Sequence, residues 1–197
     1  MSNAKKHLQT QDGSRLSTKI NYPLSNDYRP ELDSSPELDS VDVAYYQSLI
    51  GILRWMVELG RLDMCCKVSM MSSHLALSRE GHLAQVYHIF AYLKKHHNAA
   101  LVFDPSYPEI NLDTFQKHDW TKLYGDAKEA IPPDMPKPLG KEVVMRCFAD
   151  ADHAGNKLTR RSRTGFIIFL QMAHIYYCSK RQNTLGFSTY GSEFIII

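Results

Sequence analysis

The 197 residues, 44% hydrophobic and 22% charged, are enough for a packed core and argue against wholesale disorder. The formal net charge of +2 hides an asymmetry: residues 141–197 hold eight Lys/Arg against four Asp/Glu, and residues 1–140 hold fifteen against seventeen. A basic C-terminal part fits either a phosphate-bearing partner or a solvated surface, and no apolar run approaches the roughly 20 residues that a membrane span needs.

Residues 1–40 are polar and broken by Pro23, Pro30 and Pro36, so they read as an extended lead-in. Lys5-Lys6-His7 is followed by no apolar stretch, so a secretory signal is not expected. Three helices come next. Tyr46, Leu49, Ile50, Leu53 and Val57 recur at helical spacing and predict a helix over 42–59, stopped at Gly60. Met64, Val68, Met71 and Leu75 predict one over 63–77. Leu83, Val86, Tyr87, Phe90 and Leu93 predict one over 80–97, with Ser78 as an N-cap candidate. Such stripes are core faces. Ala100 to Phe103 is a short strand candidate, and the proline-rich 104–141 reads as a linker or insertion with a short helix over 120–129.

The rhythm then changes. Residues 143–149, 165–171 and 175–178 are short β-branched or aromatic runs, and Ser188 onward looks like a helix start. The expected fold is therefore α+β: a helical part (41–103), the linker (104–141), and a three-stranded antiparallel sheet followed by the start of a helix (142–197). Cys65, Cys66, Cys147 and Cys178 include no C-x-x-C pair, so buried free thiols in a reducing, intracellular compartment are expected rather than a zinc site.

Two acidic positions carry the candidate chemistry. Asp150, in Phe148-Ala149-Asp150-Ala151-Asp152-His153-Ala154-Gly155, ends a predicted strand, and Glu193 lies in the first turn of the last helix. If that helix packs back over the strand, the two meet despite 43 positions of separation, and paired carboxylates suit a hard cation such as magnesium. Read on spacing alone, Asp150 and Asp152 are turn residues, and Glu193 is a helix-start residue favoured by the dipole.

The order of words along the chain adds to this. Tyr46-Gln47-Ser48-Leu49-Ile50-Gly51, Gly60-Arg61-Leu62-Asp63, Arg79-Glu80-Gly81-His82-Leu83, Tyr92-Leu93-Lys94 and Asp119-Trp120 come first. The Asp150 segment, Arg160 to Phe166, Ser179-Lys180-Arg181-Gln182 and Gly191-Ser192-Glu193-Phe194 follow. From about residue 23 onward this succession resembles the Pol polyprotein of copia-type retrotransposons. The resemblance implies a reverse-transcriptase thumb and connection region, then an RNase H-like domain. It implies that Asp150 and Glu193 are catalytic metal ligands of a two-magnesium site that cleaves RNA in RNA–DNA hybrids. Asp152 belongs to the motif without an assigned metal. The charges of Arg160, Arg161, Arg163, Lys180 and Arg181 suggest contacts with a nucleic-acid backbone.

The resemblance places further catalytic carboxylates beyond position 197, and the paired aspartates of a polymerase palm are absent. Tyr177 also stands where the family usually has tryptophan. The expectation is a C-terminally truncated fragment, inactive by itself, in a cytoplasmic particle or the nucleus. The competing expectation is a non-catalytic module that binds nucleic acid or protein.

Overall fold

Helix α1 (Ser40–Glu58) starts where Asp39 turns its carboxylate onto the first free amides. Its Oδ1 accepts from Val41 N at 2.9 Å and Asp42 N at 2.8 Å. In this computed structural model residues 19–25, 27–111, 119, 121–127, 132–137, 140 and 142–194 are described. The five stripe residues of α1 are all buried. The helix stops at Leu59-Gly60, where Gly60 takes φ +116° and Leu101 packs against the place a Cβ would fill.

The second stripe does not form one helix. It folds as a 3₁₀ turn (Leu62–Met64), α2 (Cys65–Met71) and another 3₁₀ turn (Ser72–His74). Ser72 Oγ donates to Val68 O at 2.8 Å and Ser73 Oγ to Ser69 O at 3.3 Å, so hydroxyls compete with the backbone where α2 tightens. Met64, Val68 and Met71 still reach the core, and Tyr46 Oη donates to Met71 O at 2.9 Å.

Helix α3 (Glu80–Lys95) is capped at Arg79 rather than Ser78. The Arg79 amide donates to His82 Nδ1 at 3.0 Å, which leaves His82 Nε2 to donate to Pro30 O at 2.9 Å. Its stripe is buried together with His82, Ile89 and Ala91. The described part of the lead-in lies along this bundle. Leu24 is fully buried, Leu38 N donates to Ser78 O at 3.1 Å, and Arg79 pairs with Glu37 at 2.9 Å.

Residues 100–103 form no strand; Phe103 instead stacks on His174 with ring centroids 5.8 Å apart. A single turn, α4 (Thr121–Tyr124), stands within the expected 120–129 helix, of which Trp120 and residues 128–129 fall outside the described set.

Strands β1 (Met145–Asp152), β2 (Arg163–Leu170) and β3 (Ala173–Arg181) make an antiparallel sheet in the order β1-β2-β3, followed by α5 (Thr189–Phe194). The chain is thus α+β, a helical N-terminal part followed by a three-stranded sheet. β1 runs two residues past Asp150, because Asp150 pairs with Gly165 and Asp152 with Arg163. The β2–β3 turn puts Gln171 at φ +57°, and Gln171 bonds to the start of β1. Its amide donates to Val144 O at 2.8 Å and its carbonyl accepts from Arg146 Nη2 at 2.9 Å. These bonds explain a non-glycine residue where a tight hairpin needs positive φ.

One sheet face packs on the bundle. Tyr177 Oη donates to Val57 O, and Ser69 Oγ donates to Ser179 O at 2.7 Å. Side chains alternate along a strand, so Tyr176 lies on the other face, its ring 5.7 Å from that of Phe166. All four cysteines are free, with Cys65 and Cys178 half-buried; Cys66 and Cys147 are exposed, contrary to the burial expected of them. Among the described residues no helix is long and apolar enough to cross a membrane.

Candidate active site

Among the described residues the sheet has an open edge, since β1 has a strand neighbour on one side only. Helix α5 lies against β1, and the Ala151 amide donates to Glu193 Oε1 at 3.2 Å. The two residues are 42 positions apart, so this is a tertiary contact made by the return of α5. It sets the Glu193 carboxylate at the residue next to Asp150.

Asp150 itself is exposed. It opens onto a groove of about 470 Å³ between the sheet and the helical part, which Phe148, Gly165 and Cys66 also line. Gly165, its cross-strand partner, has open space where a Cβ would stand. The surface beside the carboxylate is therefore clear for a ligand. Glu193 is half-buried and does not line the groove, so the two acids approach the same stretch of β1 from its face and from α5.

Asp152 is held differently. Its Oδ1 accepts from the Arg163 amide, and its other oxygen fills the space a Cβ on Gly155 would need. The Asp-x-x-Gly spacing therefore has a steric cause, and Asp152 serves the turn.

A buried polar cluster fixes α5. Ser192 Oγ lies 3.0 Å from Ser162 Oγ and 3.0 Å from His153 Nδ1, and Gln182 Nε2 donates to Ser192 O at 2.8 Å and to Thr164 Oγ1 at 3.0 Å. Ser162 and Ser192 are both fully buried. A hydroxyl with no exposure cannot meet a substrate, so Ser192 with His153 is a positioning contact rather than a nucleophile and base. Sequence reasoning missed this cluster. Its only local signal is small polar residues beside the acidic motif, which read equally well as turn residues.

The basic candidates separate. Arg160 is exposed in the β1–β2 turn at φ +56°, and Lys180 and Arg181 are exposed at the end of β3. Arg161 is half-buried. Arg163 turns inward, where Nη1 donates to Ser69 Oγ at 2.6 Å, and burial lowers the pKa of its guanidinium. It joins the two parts of the molecule.

The resemblance implies magnesium, and the donor set can be tested against it. Magnesium takes oxygen ligands, usually through one or two carboxylates while keeping several waters. Asp150 and the second oxygen of Glu193 are carboxylate donors of the kind such an ion takes, Asp150 from the groove face of β1 and Glu193 from the Ala151 amide. Two ions need more acidic side chains, and among the described residues no three His, Cys, Asp or Glu side chains converge. No protein-family model, no curated protein and no solved structure matches this chain.

Proposed function

We propose that the chain is part of a copia-type retrotransposon polyprotein, and that its sheet is the beginning of an RNase H domain that cleaves RNA in RNA–DNA hybrids. The observation that carries this reading is the bond from the Ala151 amide to Glu193, which brings an acid from α5 to the strand bearing Asp150. A cation held by both acids would account for that meeting.

When bound, magnesium would activate a water and stabilise the leaving oxygen of a phosphodiester. The chain's own residues do the rest. Asp150 offers an exposed carboxylate at the groove. Ala151 orients Glu193 by taking up one of its oxygens and leaving the other free. The serine cluster holds α5 in place. Since the described residues supply two of the carboxylates, this chain by itself should bind a hybrid without turning it over.

An end-labelled RNA–DNA hybrid and a magnesium titration test the reading. Magnesium should strengthen hybrid binding, and Asp150→Asn or Glu193→Gln should remove that enhancement. Binding indifferent to magnesium and to both substitutions would contradict it. Turnover abolished by Asp150→Asn would show that the chain needs no further carboxylates.

A further inference from the structure

A second cavity, of about 160 Å³, lies where the helical part meets the sheet. Arg29 and Lys67 line it from one side, and Arg161, Arg163 and Arg181 from the other. Among the described residues the ion pairs are Arg61–Asp63 and Arg79–Glu37, so none of these five cations is paired. Two acids also line the cavity, but both spend an oxygen on the backbone. Glu31 Oε1 accepts from Lys157 N at 3.1 Å, and Asp152 Oδ1 accepts from Arg163 N. Five cations thus outnumber the two carboxylates that share the cavity with them. His74 lines the same cavity, and burial first, with His82 and Arg181 adding to it and Glu31 and Asp33 opposing it, pushes its pKa down to about 4. It is neutral at pH 7, which leaves the five cations as the source of positive charge.

Pockets for drug-sized molecules run to roughly 300–1,000 Å³, so this cavity is too small for a nucleotide and suits a single phosphate group. Arginine presents its donors in a fork that matches phosphate oxygens. We propose that the cavity is a phosphate-binding site seating one backbone phosphate of a nucleic-acid strand. Arg29 and Lys67 reach it from the helical part, and Arg161, Arg163 and Arg181 from the sheet. The identity of the strand rests on the reading above; the phosphate chemistry does not. The sequence marks Arg161, Arg163 and Arg181 as basic, but only the fold adds Arg29 and Lys67 from more than 90 positions away.

The test compares the full chain with the double variant Arg29→Gln, Lys67→Gln, and with a charge-matched control, Lys94→Gln, Lys122→Gln. Circular dichroism checks that each is folded. Two probes are used: inorganic phosphate followed by ³¹P line broadening, and a fluorescein-labelled RNA–DNA hybrid followed by anisotropy across salt concentrations. The double variant should lose the phosphate broadening, bind the hybrid about tenfold more weakly and lower the salt slope by about 1, while the control changes neither. If the double variant matches the control with both probes, the site is wrong, and hybrid binding that persists leaves the nuclease reading standing. If phosphate broadening is lost as expected but no variant binds hybrid, the phosphate site stands and the nucleic-acid reading falls.

Discussion

Among the described residues, every fully buried member of the packed apolar core lies between Leu24 and Leu93, in the helical part and the segment leading to it. Among the described residues, the sheet with its turns and α5 contributes to the buried set only Ala151 and Ala154 among apolar residues, beside the polar Ser162, Gln171, Gln182 and Ser192. Its larger apolar side chains are half-buried, as at Phe166 to Phe169 and at Tyr177, which packs against the core, or exposed, as Met145 at 71% and Phe148 at 56%. Burial contributes about 25 cal/mol per Å² of apolar surface, so the helical part holds itself together while the sheet borrows stability from it. The borrowing runs through Tyr177 on Val57, Ser69 on Ser179 and Arg163 on Ser69. A candidate site on such a sheet is positioned by hydrogen bonds more than by packing.

Phe90→Ala should have the largest effect. Phe90 is 1% exposed at the centre of the core, and such a deletion costs about 3–5 kcal/mol. Urea unfolding followed by both helix and sheet signals should show the two melting together; a sheet that outlives the helices would reverse the comparison. Ser192→Ala should follow, at about 1–3 kcal/mol, because Ser162 and His153 lose a buried partner. Hydrogen exchange should speed up in β1 and α5 and leave α1 and α3 unchanged. Tyr177→Phe removes one bond between the parts, and a loss of about 1 kcal/mol is expected, seen as faster exchange across β3.

The last prediction concerns pH at the junction. Burial, with the nearby His82 and Arg181 adding to it and Glu31 and Asp33 opposing it, moves the His74 pKa from 6.5 down to about 4. Between these values the unfolded chain binds a proton that the folded chain refuses. Stability should therefore rise with pH across that window, be complete above about 6.5, and be lost as pH falls towards 4. His74→Gln should flatten that part of the urea-midpoint profile; an unchanged slope would place the titration elsewhere.

The helical part was legible because burial there follows period 3.6. The stripes of α1 and α3, Tyr46 to Val57 and Leu83 to Leu93, are the residues that pack. The middle stripe was legible as core but not as one helix, since serine hydroxyls at 72 and 73 compete with its last turn. The strand ends were harder. Asp150 and Asp152 look like turn residues, yet both lie in β1, where their pairing with Gly165 and Arg163 is set across the sheet. Of the site, spacing alone read Asp150 and Glu193 as turn and helix-start residues; the order of words along the chain singled them out, and the return of α5 supplies the contact next to Asp150. The inward turn of Arg163 had no sequence signal, because it depends on Ser69, 94 positions away.

The central claim is that Asp150 and Glu193 together hold one hard cation, and the Ala151 amide reports on it directly, since it is donated to Glu193. In a ¹⁵N-labelled sample titrated with magnesium, the Asp150, Ala151 and Glu193 amide resonances should shift together along one saturating curve, and either Asp150→Asn or Glu193→Gln should abolish the shifts. Resonances that stay fixed at Ala151 while magnesium perturbs the chain elsewhere would contradict the account.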